Sequence, residues 1–94
     1  MAETEIYKAA LEKWGPDAQT LMVFEEMSEL QKELCKAARG KDNREAIAEE
    51  IADVYIMLEQ MAILHQCEKS VKDYKAQKLE RLAGRIAEGG RHDN

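Results

Sequence analysis

Ile47-Ala-Glu-Glu50-Ile51-Ala-Asp53-Val54-Tyr-Ile-Met57-Leu58-Glu-Gln-Met61-Ala-Ile-Leu64-His65 reads as an apolar helix with acids set into it. At about 100° per residue, Ile47, Glu50, Ile51, Val54, Met57, Leu58, Met61, Leu64 and His65 fall on one stripe. Glu50 sits near the centre of that stripe and Asp53 at its edge. A charge left alone in such a place would neutralise itself or cost several kcal/mol, on the order of a small domain's whole stability. Either a metal ion or a basic side chain must therefore partner these carboxylates.

Working outward, the rest of the chain supplies three more helices and no competing strand pattern. A first segment, roughly residues 3 to 14, carries Ile6, Ala9, Ala10 and Leu11 on one face. It runs into Trp14-Gly15-Pro16, where glycine can end one helix and proline open the next. Trp14 is expected to anchor that corner. The second helix is expected from about Asp17 to Arg39, stopping at Gly40. In the polar linker that follows, Asp42 with Glu45 three residues on predicts a capping box for the third helix, which should run to about Gln66. Ser70 with Asp73 resembles a further start, leading a fourth helix through Ile86. The tail from residue 88 to 94 is expected to fray. Short links between long helices favour antiparallel neighbours, so the fold class is all-α, a bundle of about four helices in one domain.

At 94 residues the chain is near the lower limit for burying an adequate core alone, so sharing burial with further copies is expected. The net charge of -5 and the lack of a basic cluster with interleaved aromatics argue against nucleic acid as a partner. Cys35 and Cys67 lack Cys-x-x-Cys spacing and are read as reduced thiols in or near the core. No apolar run reaches the roughly 18 residues of a membrane span, and the acidic start carries no signal, which makes the cytoplasm the default location.

A second pair of acids makes the first more telling. Met22, Glu26, Glu29, Glu33 and Lys36 share a narrow strip of the second helix, beside an apolar arc of Val23, Met27, Leu30 and Leu34. Twenty residues separate Glu29 from Glu50, enough for a helix end, a turn and a helix start. If the two helices pack antiparallel, Glu26 and Glu29 can face Glu50 and Asp53. Four hard oxygen donors without His or Cys suit Mg²⁺ or Mn²⁺ better than zinc or copper. A pair of acids three apart is common on solvated helices, but two pairs at facing depth, one cutting into an apolar stripe, point to a metal cage. A buried Lys or Arg partner is the competing reading.

Glu25-Glu26-Met27-Ser28-Glu29-Leu30 followed by Glu49-Glu50-Ile51-Ala52-Asp53-Val54 resembles the MazG-like branch of the all-alpha nucleoside triphosphate pyrophosphohydrolases, whose signature is E-x-x-E followed by E-x-x-D. The resemblance spans about residues 7 to 86. It includes Lys13-Trp14-Gly15, the Tyr55-Ile-Met-Leu-Glu-Gln stretch and a basic last helix. It implies that Glu26, Glu29, Glu50 and Asp53 are Mg²⁺ ligands, with Glu25 and Glu49 flanking them. It also implies hydrolysis of nucleoside or deoxynucleoside triphosphates to monophosphate and pyrophosphate, as a homodimer or homotetramer whose paired protomers complete a four-helix core and the nucleotide pocket. Phosphoribosyl-ATP pyrophosphohydrolase is a related reading, weakened because Tyr55-Ile56 stands where that enzyme has Tyr-His.

The residues support this chemistry directly. A triphosphate of about four negative charges can approach an acidic protein only through cations. A carboxylate not fully committed to metal could take the proton of the attacking water, and Glu29 is the choice for that base. Lys32 and Lys36, with Tyr74, Lys75, Lys78 and Arg81 on the last helix, are candidates to grasp phosphate oxygens. Tyr74, Lys78 and Arg81 share one face at i, i+4 and i+7, which equally describes an ordinary solvated or intersubunit face. Trp14 could instead stack on a nucleobase. His65 is read as a packed or interface histidine, and Met22, Met27, Met57 and Met61 as adaptable core packing. A reading of another class is a helical interaction module whose acids pair with Lys or Arg across an interface. A ferritin-like di-iron site lacks its Glu-x-x-His.

Overall fold

The computed structural model describes residues 1–88, and among these it has four helices and no strand: α1 Glu3–Trp14, α2 Pro16–Ala38, α3 Arg44–Leu64 and α4 Glu68–Ala87. The fraying expected for residues 88 to 94 lies, beyond Glu88, outside the described residues. No described helix is long and apolar enough to cross a membrane.

Backbone chemistry explains most of the boundaries. The Glu5 carboxylate accepts from the Ala2 N–H at 2.8 Å and closes the first turn of α1. Gly15, at φ 90°, ends α1 with its N–H on the Leu11 carbonyl, and Pro16 opens α2 at the position where its missing N–H costs nothing. α2 ends in a two-bond C-cap: the Gly40 N–H reaches the Ala37 carbonyl and the Lys41 N–H the Lys36 carbonyl, with Gly40 at φ 100°. α3 ends the same way, from Gln66 to Ile63 and from Cys67 to Ala62. There the left-handed residue is Gln66, at φ 52°, with no glycine to relieve its Cβ.

Two expected starts are corrected. Asn43, not Asp42, is the N-cap of α3, and it makes no side-chain cap: its Nδ2 donates to Glu33, and its Oδ1 has no hydrogen-bond partner among the described residues. α4 begins at Glu68 after Cys67, so Ser70 lies inside the helix and caps nothing. Asp73 is ion-paired to Lys69 at 2.9 Å.

α2 and α3 form an antiparallel hairpin, and its register can be read from three places. Thr20 Oγ1 lies 3.7 Å from Met61 Sδ near one end, Asn43 Nδ2 donates to Glu33 at the other, and Glu26 meets Glu50 and Asp53 between them. α1 packs on both helices of the hairpin, while α4 packs on α3 alone.

The core is thin. Among the described residues, Tyr7, Val23, Val54 and Met57 are the buried apolar or aromatic ones, and no side chain is completely enclosed. Several expected faces are rotated as a result. α1 buries Tyr7 and leaves Ile6 and Ala9 exposed, because the hairpin meets α1 along Tyr7, Ala10 and Leu11. On α3, Leu58 and His65 are exposed and Gln60 is buried in their stead, so the packed stripe is tilted toward Asp53. Trp14 is 58% exposed, with Lys13 Nζ 5.2 Å from its ring centroid, and anchors no corner. Of the four methionines expected to pack the core, Met57 is buried, Met22 and Met61 are partly so, and Met27 is exposed. Cys35 is exposed and Cys67 partly buried, so neither is a core thiol.

The chain exposes 7667 Å². A compact monomer of its 10.7 kDa mass would expose roughly 5,500 Å². The radius of gyration, 16.5 Å, likewise exceeds the roughly 12 Å of a compact chain of this length. α4 adds to this exposure, since none of its residues is buried.

Candidate metal centre

The helical screw brings the acids together. On α2 the line that meets α3 runs through Gln19, Val23, Glu26, Leu30 and Glu33, so Glu26 and Glu33 of the acidic strip lie within the helix interface. On α3 the facing line runs through Glu50, Asp53, Val54, Met57 and Gln60. One carboxylate oxygen from each of Glu26, Glu50 and Asp53 lies within 4.8 Å of the others, and all three residues are partly buried. Glu29, one turn further along α2, is exposed and stands outside this trio.

The trio behaves as an uncompensated cluster. Burial, then the charges of Asp53, Glu50, Glu25 and Glu29, raises the proton affinity of Glu26 above that of an ordinary carboxylate. Burial and the charges of Asp53, Glu29, Glu49 and Glu33 do the same to Glu50. Among the described residues, the ion pairs are Lys36 with Glu33 at 3.2 Å and Lys69 with Asp73. No basic side chain of the described protomer pairs with the trio, so the competing reading of a Lys or Arg partner is not met within it.

The donor set fits a hard divalent cation. Three carboxylates with no sulfur or imidazole match Mg²⁺ or Mn²⁺ chemistry, and a +2 ion would relieve the repulsion that raises Glu26 and Glu50. Three protein ligands would leave further positions of an octahedral ion for water and phosphate oxygens.

A second acid on α2 is used differently. Glu33 accepts from Asn43 Nδ2 at 2.8 Å and from Lys36 Nζ at 3.2 Å, and these two bonds, Asn43 first, hold its carboxyl below the usual range. The same Asn43 amide donates to the Glu33 carbonyl at 3.0 Å. This clamp fixes the turn below the trio and ties up Lys36.

The phosphate-contact candidates are dispersed. Lys32 is exposed on α2. Tyr74, Lys78 and Arg81 do share a shallow surface with Gln77 on α4, but α4 touches neither α1 nor α2. Lys75 lies with Tyr7, Glu59 and Val71 in a separate cleft of about 450 Å³ between α1, α3 and α4. There Tyr7 donates to Glu3 at 3.2 Å. Burial, the Glu3 bond and the Glu59 charge raise the Tyr7 phenol above its ordinary pKa. Exposed Trp14 is available to a flat ligand or a partner surface.

Gln60 was not anticipated from the sequence. It is 5% exposed, and its Oε1 has no hydrogen-bond partner among the described residues while Nε2 reaches only Met57 Sδ at 3.8 Å. It lies two turns beyond Asp53 on the same face, a spacing that could have flagged it.

In comparison with known proteins, no family model matches the chain, and no curated protein or solved structure matches it either.

Proposed function

We propose that this protein is a Mg²⁺-dependent nucleoside or deoxynucleoside triphosphate pyrophosphohydrolase, releasing monophosphate and pyrophosphate as a homo-oligomer. The observation that carries this reading is the meeting of Glu26, Glu50 and Asp53 across the α2–α3 hairpin with no basic partner among the described residues. The resemblance of the two acidic motifs to the MazG-like signature supplies the reaction type.

In this reading Glu26, Glu50 and Asp53 hold the ion. Bound Mg²⁺ would supply charge neutralisation for the triphosphate and a water of lowered pKa. Glu29 is positioned for the proton, since it lies one turn from Glu26 yet outside the trio and exposed. The water oxygen forms a bond to the α-phosphorus, the bond to the pyrophosphate oxygen breaks, and the water's proton passes to the Glu29 carboxylate. Lys32, three residues from Glu29 and exposed, is the hairpin cation best able to hold a phosphate oxygen, because Lys36 is engaged by Glu33. The thin core and excess surface support the homo-oligomer.

The test is to incubate the protein and its Glu50→Gln variant with Mg²⁺ and a panel of canonical and modified NTPs and dNTPs, resolving all phosphate products. Monophosphate plus pyrophosphate, lost in the variant, is expected. Diphosphate plus orthophosphate, or no turnover of any nucleotide, would refute the reading.

A further inference from the structure

α4 leaves a gap beside α1. It packs on α3 alone, whereas α1 packs on α2 and α3. The cleft of about 450 Å³ occupies that gap, lined by Thr4 and Tyr7 of α1, Glu59 and Ile63 of α3, and Lys72 and Lys75 of α4. Its size lies within the roughly 300–1,000 Å³ of small-molecule sites. Glu59 follows Asp53 by six residues, which turns it roughly 120° around α3 from that acid. The cleft and the acidic trio therefore lie on different faces of the helix.

Both signs of charge line this cleft. Glu59 and Glu68 supply carboxylates, and Lys72 and Lys75 supply ammonium groups. None of the four is ion-paired, since the pairs among the described residues are Lys36 with Glu33 and Lys69 with Asp73. Even Glu68 and Lys72, at the i, i+4 spacing where acid and base meet on a helix, stay apart. Tyr7 adds a fixed polar atom. The residue is 6% exposed, and its hydroxyl spends its one proton on Glu3 at 3.2 Å. After burial and that bond, Glu59 is the further influence that raises the phenol's pKa, so this second carboxylate stands close to the same hydroxyl. One proton cannot serve two carboxylates. Glu59 and the phenol oxygen are left as acceptors without a donor. Ala62, Ile63 and Val71 complete the lining with apolar surface.

We propose that this cleft binds a small zwitterion, an α-amino acid with an apolar side chain. Its ammonium group is held by Glu59 and the Tyr7 oxygen, its carboxylate by Lys72 and Lys75, and its side chain lies against Ile63 and Val71. A ligand with one charge satisfies only half of this lining and is repelled by the other half. A nucleoside phosphate offers Glu59 no cation, so the site is separate from the function proposed above and does not rest on it. The bound molecule also ties α4 to α1, two helices that do not otherwise pack on each other. α4 buries no residue of its own, so its local opening is the motion that such a ligand would suppress.

Nuclear magnetic resonance of the ¹⁵N-labelled full chain tests the proposal, with leucine and phenylalanine as probes. Millimolar leucine or phenylalanine should shift the amide signals of Tyr7, Ile63 and Val71. 3-Methylbutylamine and 4-methylpentanoate, which are leucine without its carboxylate and without its amine, should each bind at least about tenfold more weakly. That comparison needs no variant. Glu59→Gln and Lys75→Gln, both at exposed positions, should each weaken leucine binding by about tenfold, while Glu50→Gln should bind leucine as the wild type does. Hydrogen exchange across α4 should slow by about tenfold at ten times the dissociation constant. Absence of shifts with both amino acids, shifts that spare the cleft, or a singly charged analogue that binds as tightly as leucine would overturn the proposal. Unchanged affinity in Glu59→Gln and Lys75→Gln, or binding that leaves exchange in α4 unaltered, would overturn it equally.

Discussion

Removing one charge from the acidic trio should stabilise the protein without metal and abolish its stabilisation by metal. Glu26 and Glu50 hold their protons to higher pH in the folded chain than in the unfolded one, through burial and mutual repulsion. Where the folded chain binds more protons, stability falls as pH rises, and by neutral pH the full penalty is present. Glu50→Gln lowers the local charge from -3 to -2, so the metal-free variant should melt at least as high as wild type at pH 7.5. The gap should close toward pH 4, as both carboxylates protonate. Mg²⁺ reverses the order. At ten times its dissociation constant, one ion adds about 1.4 kcal/mol. For a domain of this size that is roughly 6–11 °C in Tm. Thermal melts followed by circular dichroism, with EDTA or with a Mg²⁺ series, measure both effects. A metal-free Glu50→Gln variant that melts clearly below wild type, or an equal Mg²⁺ shift in both proteins, would refute the account of the trio as a strained cation site.

Glu29→Gln should leave the Mg²⁺-dependent rise in Tm intact while lowering kcat by about 10²- to 10⁴-fold, the usual contribution of a general base; loss of the metal shift would instead make Glu29 a ligand. Gln66→Gly should raise stability by about 0.5–1 kcal/mol, because the residue closing α3 sits at φ 52°, where a side chain is strained. Urea unfolding at unchanged m-value measures it, and a lower midpoint would contradict the prediction. Asn43→Ala should release the Glu33 carboxyl toward its ordinary pKa, readable by NMR titration. Glu33 contributes stability that is present above its unfolded pKa and lost as pH falls through its lowered folded value. The variant should therefore melt a few degrees lower at pH 7, with the difference shrinking in acid.

The helices were legible because their signals are local. Gly15-Pro16 and Gly40 punctuate the chain through backbone geometry that no tertiary contact overrides, and α1 to α3 begin and end within about two residues of the sequence expectation. Side-chain caps were less legible, because Asn43 could cap its own helix or reach across to Glu33, and only the packed hairpin decides between them. The meeting of Glu26 with Glu50 and Asp53 followed from spacing, whereas the place of Glu29 did not. A 100° step per residue ranks positions around a helix but does not say where the neighbouring axis lies. In the folded chain that axis lies toward Asp53 and Gln60, which exposes Leu58 and His65 and leaves Glu29 at the rim. For α4 the sequence singled out the face of Tyr74, Lys78 and Arg81, and the exposed Val71, Leu79, Leu82 and Ile86 were seen only in the folded chain.

All three residues of the trio come from one hairpin, α2 joined to α3 through residues 39 to 43 and clamped by Asn43 on Glu33. The segment from Glu26 to Asp53 therefore brings the three acids together as a cassette of two helices and their turn. Closing so short a loop costs little entropy, and lengthening it adds only about 0.6 kcal/mol per doubling. α1 and α4 can then diverge, or be exchanged for other flanking helices, without disturbing how the acids meet. Such a cassette could be transplanted onto any antiparallel helix pair that preserves its register.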